Sequence, residues 1–137
     1  MIIYSINDYL QNDNDLLTTS DQDSIIFRPF LGSDDDAAPI FLYQYNPDIK
    51  SQDQYYIHTD SVWYTVLDTD VDRGFNLQNI IINILNKADR IQETAIDDTF
   101  GRLLYSTLSR TIQRQPSTVE GYYQLSALFE ICWVPLD

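Results

Sequence analysis

The segment from Tyr122 to Val134 alternates with a strict period of two. Tyr123, Leu125, Ala127, Phe129, Ile131 and Trp133 share one parity; Tyr122, Gln124, Ser126, Leu128, Glu130 and Cys132 share the other. The first set is wholly apolar. Side chains of a strand alternate between its two faces, so this pattern predicts a strand with one face in a core. A slip of one residue would turn that whole set towards water, so the pairing register is tightly constrained. Pro135 ends the strand. A chain with such a segment must build a sheet and cover one of its faces with apolar side chains from elsewhere.

The remaining elements follow from pattern and punctuation. Residues 5–18 read as an imperfect helix. Ser5 is a candidate cap with Asp8 three positions on, Ile6, Leu10 and Leu17 follow near-helical spacing, and the polar run Gln11–Asp15 is a candidate break into two turns. Residues 24–31 (SIIFRPFL) read as a strand that Pro29 places at an edge or near its own end. Residues 32–38 (GSDDDAA) form a loop by composition, and residues 39–46 (PIFLYQYN) form a second strand. Asn46-Pro47-Asp48 opens a turn, and residues 55–68 form a long strand. Ile57, Trp63 and Leu67 on one parity and Val62, Tyr64 and Val66 on the other make its second half apolar on both faces. That is the expectation for a central strand covered on both sides.

Asp70 or Asp72 then caps the best helix of the chain, where a carboxylate accepts from free N–H groups and suits the positive end of the dipole. Leu77, Ile81, Ile84, Leu85 and Ala88 form its apolar face, widened by Phe75, Ile80 and Ile82, and Lys87 and Arg90 suit its C-terminal end. A helix this apolar packs on a sheet, with apolar surface to spare for a neighbouring subunit. Residues 93–101 are ambiguous, residues 103–112 read as a strand, and residues 115–121 (QPSTVEG) read as a turn. The order helix, three strands, helix, two strands predicts an α+β fold: an antiparallel or mixed sheet of about five strands with helices on one face. The length, 137 residues, fits a single domain over residues 1–137. Ten tyrosines among its residues are a weak sign of sheet and of assembly.

Charge divides the chain. Residues 1–72 hold fourteen Asp and no Glu against Arg28 and Lys50, a formal charge of −12; residues 73–137 hold six basic and seven acidic residues. A protein that grips nucleic acid by its phosphates needs a Lys/Arg footprint, which this chain lacks. No stretch of about 18 apolar residues occurs, and the N-terminus MIIYSINDYL has neither a basic n-region nor a long h-region. The expectation is a soluble chain made in a cytoplasm.

Few constellations invite chemistry. Asp68-Thr69-Asp70-Val71-Asp72 opens like a calcium loop, but Arg73 stands where the loop needs Gly and Asn79 where it needs Glu. A strand end followed by an acidic helix cap accounts for it better. His58, the single histidine, has Asp60 two residues away, with no nucleophile-elbow, phosphate-loop, dinucleotide or zinc spacing to support a catalytic role. Cys132 is the single cysteine, on the polar parity of the last strand among acidic neighbours, and reads as a buried thiol. No enzyme and no cofactor is expected. Asp34, Asp35 and Asp36 repel one another along an extended loop, either solvated or docking a basic partner, and neutralising them should leave folding intact. Arg102, Arg110 and Arg114 lie near the last two strands, either solvated or meeting acidic loops of an identical neighbour. These six residues are the candidate interface, since a chain with one acidic and one near-neutral half can stack head-to-tail into a ring.

Several strings, in this order, resemble tail terminator and tail-completion (neck) proteins of long-tailed bacteriophages. They are Ile25-Ile26-Phe27-Arg28-Pro29-Phe30 after an N-terminal helix, Pro39-Ile40-Phe41-Leu42-Tyr43-Gln44-Tyr45, and Val66-Leu67-Asp68 before the acidic cap and the helix Asn76–Asn86. The final hairpin adds Leu108-Ser109-Arg110 and Glu120-Gly121-Tyr122-Tyr123. The resemblance implies a non-enzymatic virion subunit of a homo-hexameric ring, capping the tail tube and meeting the head-side connector or completion protein. It implies a channel through which genome DNA passes without specific binding, and no membrane. Another neck, head-completion or baseplate-side component and a small acidic DNA mimic are the alternatives.

Overall fold

A computed structural model describes residues 2–29, 37–47, 57–86, 101–114 and 121–135. In chain order the elements are helices α1 (Ile2–Gln11) and α2 (Asn14–Ser20), strands β1 (Ile40–Asn46) and β2 (His58–Asp68), helix α3 (Val71–Leu85), and strands β3 (Gly101–Arg114) and β4 (Tyr123–Pro135). The strands form a four-stranded sheet ordered β1-β2-β4-β3, with all three ladders antiparallel. The fold is α+β, with four strands among the described residues where about five are expected.

The expected strand over residues 24–31 is not formed over its described part, residues 24–29; Phe30 and Leu31 lie outside the described residues. Ile25 and Phe27 are buried while Ile26 is 60% exposed, so the alternation expected of a strand is present. The backbone, however, makes only one parallel bridge, Arg28 with Leu42, through Arg28 N–H to the Phe41 carbonyl and Tyr43 N–H to the Arg28 carbonyl. The Phe27 N–H is taken by the Gln11 side chain, 2.8 Å away. Pro29 has no N–H to carry a ladder onward.

The first helix also departs from its reading. It begins at Ile2, and Ser5 lies buried inside it rather than capping it. The polar run does break it. Asp13 caps α2 by accepting from Leu16 N–H at 3.0 Å, and Asp21 ends α2 in the left-handed region at φ 55°. Ile2, Ile3, Ile6 and Leu10 of α1 and Leu16 of α2 are fully buried.

The inward parity of the sheet carries the core. Val62, Tyr64 and Val66 of β2 stand opposite Phe129, Ala127 and Leu125 of β4, all at most 1% exposed. Leu77, Ile81 and Leu85 of α3 complete this cluster. Two bulges in β3, at Leu103/Tyr105 and Leu108/Arg110, let a 14-residue strand follow the twist of β4. α3 approaches β4 closely at Gly74, where an added Cβ would overlap Leu125 Cδ1. β2 is central, paired on both edges. Its outward parity, however, leaves Trp63 and Thr65 half-exposed, with Leu67 buried at its end, so no helix among the described residues covers the part of that face around Trp63. No described helix is long and apolar enough to cross a membrane.

Candidate functional site

The residues that invited chemistry are committed to structure. Asp70 caps α3, accepting from Asp72 and Arg73 N–H at 3.1 and 3.2 Å. Asp68, fully buried at the end of β2, accepts from Arg73 Nε and Nη2 at 2.8 and 2.7 Å and from Asp70 N–H at 3.0 Å. The bidentate bond with Asp68 is the main reason the Arg73 guanidinium holds its proton still more firmly than usual. The Asp-x-Asp-x-Asp run is thus a strand end locked to a helix start.

At the other end of β2, His58 stacks on Trp133 with ring centroids 4.6 Å apart. Trp133 Nε1 donates to the buried Asp60 carboxylate at 2.7 Å, and the Tyr45 hydroxyl donates to the same oxygen. Burial, with the Asp60 carboxylate beside it, holds the Tyr45 hydroxyl protonated far above the usual phenol range. Asp60 ties β1, β2 and β4 together. Asp60 and His58 lie on one face, as their spacing suggested, but indole and phenol donors occupy the carboxylate. In the core, the Tyr64 hydroxyl donates to Asn7 Oδ1 at 2.6 Å, and burial raises its pKa well above the ordinary value. Cys132 is buried next to Tyr105, whose hydroxyl pKa it raises by proximity and hydrogen bonding.

Of the six candidate interface residues, Asp34, Asp35 and Asp36 lie outside the described residues. The backbones of Arg102, Arg110 and Arg114 are opposite Val134, Leu128 and Gln124, which are all on the outward parity of β4. The two bulges cancel in parity and bring the three positions into one set. Only the side chain of Arg110 is described. It is exposed, with its guanidinium 5.2 Å from the centroid of the Trp63 ring. Beside this pair a shallow groove of about 260 Å³ is lined by Pro29, Leu42, Trp63, Thr65, Ile112 and Ser126, among others. Thr65 and Ser126 share a hydrogen bond of 2.8 Å on its floor. Sequence reasoning singled out Arg110 but not Trp63, because the two meet across β4, and strand order is not a local property.

The fold and this face define an α+β protein whose antiparallel sheet, among the described residues, carries helices on one side. No protein-family model and no curated protein matches the chain. Among solved structures, the chain is similar to a chain of the virion of a native gene transfer agent (GTA) particle. The TM-score is 0.70 at 12% identity, over 93% of this chain and 90% of that one. At that identity the likeness is one of fold.

Proposed function

We propose that this chain is a structural virion protein, a single-domain subunit of a ring at the tail terminator or neck position, joining a tail tube to a head-side connector. The observation that carries the reading is the fold shared with a GTA virion chain over nearly the full length of both. Fold alone does not assign function. Two features of the described residues agree with a structural role: Asp60, Asp68 and Asp70 are engaged by the chain's own donors, and one sheet face is left open for a neighbour. The proposed partners are identical copies in a hexamer, the tail tube and the connector, with no cofactor and no catalysis. The acidic half suits the wall of a passage for DNA, because like charge keeps phosphates from adhering.

Imaging of particles carrying a tagged chain tests the placement. A ring at the head-proximal end of the tail is the expected result. A ring elsewhere would reassign the chain to another neck or baseplate component, and particles without the chain would overturn the virion role.

A further inference from the structure

The two sides of the sheet differ in charge as well as in cover. On the helical side Asp8, Asp15, Asp21, Asp23, Asp70 and Asp72 are exposed, and the one cation within α1, α2 and α3, Arg73, is held by the buried Asp68. Asp21 and Asp70 both act on Arg73, which places the end of α2 beside the start of α3 and concentrates carboxylates there. On the open side, Leu42, Trp63, Ile112 and Leu128 are half-buried around the exposed Arg110. Aromatic and Arg side chains are enriched at interface centres, and a guanidinium stacked on an indole still offers its in-plane N–H donors to a carboxylate. Glu130, exposed on the same parity opposite Thr107, would repel an acidic partner at its own end of the face and bias docking towards Arg110.

We propose that the open sheet face around Trp63 and Arg110 docks a second copy of this chain by the acidic end of its helical layer, where α2 ends and α3 begins. The occupant follows from charge complementarity: the site offers a cation on an aromatic floor, and the chain, at a net charge of −13, carries its own matching carboxylates on the opposite side. The contact joins unlike surfaces, so a joined pair still has one of each free and the array closes into a ring when the rotation permits. This surface rests on the ring-forming part of the proposed function.

The test is the oligomeric state of the purified full chain, by sedimentation velocity and native mass spectrometry. The wild-type chain should self-associate. Arg110→Glu, and separately Asp23→Lys with Asp72→Lys, should each weaken association by about tenfold or more, and all three changes in one chain should restore it. Circular dichroism checks that each variant folds. A monomeric wild-type chain would overturn this surface, as would an oligomer that Arg110→Glu leaves intact or a combined variant that stays dissociated. Imaging of the particle reads the ring separately, so a ring seen there with Arg110→Glu still incorporated would sink the surface and spare the virion placement.

Discussion

Tyr64 shows how one residue draws on distant parts of the chain. Its ring lies edge-on to Phe27, with centroids 5.1 Å apart, and to Phe129 at 6.2 Å, while its hydroxyl reaches Asn7 in α1. Tyr64→Phe keeps the ring and strands the Asn7 carbonyl oxygen, so urea unfolding should show a loss of about 1–3 kcal/mol. Tyr64 and Tyr45 also set an alkaline limit. Both keep their protons above the ordinary phenol value of 10.0. The unfolded chain releases them near that value, so it binds fewer protons than the folded chain and stability falls as pH rises. Their contribution is complete below that value and is lost as pH climbs towards the folded values. Urea melts from about pH 8 to about pH 11 should show this decline, and it should be shallower in the Tyr45→Phe, Tyr64→Phe double variant. At Gly74 two effects compete. Ala is a better helix former by about 1 kcal/mol, but its methyl would overlap Leu125 Cδ1 in a closed core. Overpacking of this kind typically costs about 1–3 kcal/mol, so Gly74→Ala should lower the melting temperature. None of these environments is legible locally. That Tyr64 is inward follows from the parity of its strand; that its hydroxyl meets Asn7 depends on where α1 lands.

Elements whose periodicity is strong came through with their identities intact. β4 has its apolar parity inside, with Phe129 fully buried and Trp133 half-buried. Phe129→Ala should therefore cost about 3–5 kcal/mol in chemical denaturation, and a loss below about 1 kcal/mol would contradict the inward placement. The capping carboxylate before α3 was legible because an Asp followed by an apolar helical pattern has a direct physical use. Asp70→Ala should cost about 0.5–2 kcal/mol, read in the same experiment. Residues 24–29 have the alternation of a strand with a single bridge in place of a ladder, because side chains report which face is buried while a ladder needs a neighbour with free N–H and C=O groups. The start of α1 was misplaced for a related reason: Ser5 has the chemistry of a cap but sits one turn inside the helix, with Ile2 and Ile3 ahead of it in the core. β2 carries apolar residues on both parities, which suggested cover on both sides. In the described structure the inward set is packed against helices, whereas the outward set is divided: Leu67 is buried, and Trp63 and Thr65 are half-exposed.

At the scale of the molecule, the division of charge along the chain becomes a division across the sheet. The exposed Asp residues of the helical layer lie on one side, and Arg110 with the backbone positions of Arg102 and Arg114 on the other. If copies join through these surfaces, their association combines a charge pair at Arg110 with apolar contact around it. Raising the ionic strength from about 0.05 M to about 0.5 M should then weaken assembly without dispersing it fully, as sedimentation at the two salt levels would show. By itself the sequence determined the fold class, the inward parity of β4, an Asp cap for α3 and the acidity of the first half, since each of these is set by residues close together in the chain. Tertiary structure alone decided that β4 lies between β2 and β3, that Asp60 is tied to Trp133 and Tyr45, and that Arg110 comes to rest on Trp63. Those outcomes require strands far apart in sequence to choose their neighbours, and that choice depends on the packing of the whole core rather than on any one segment.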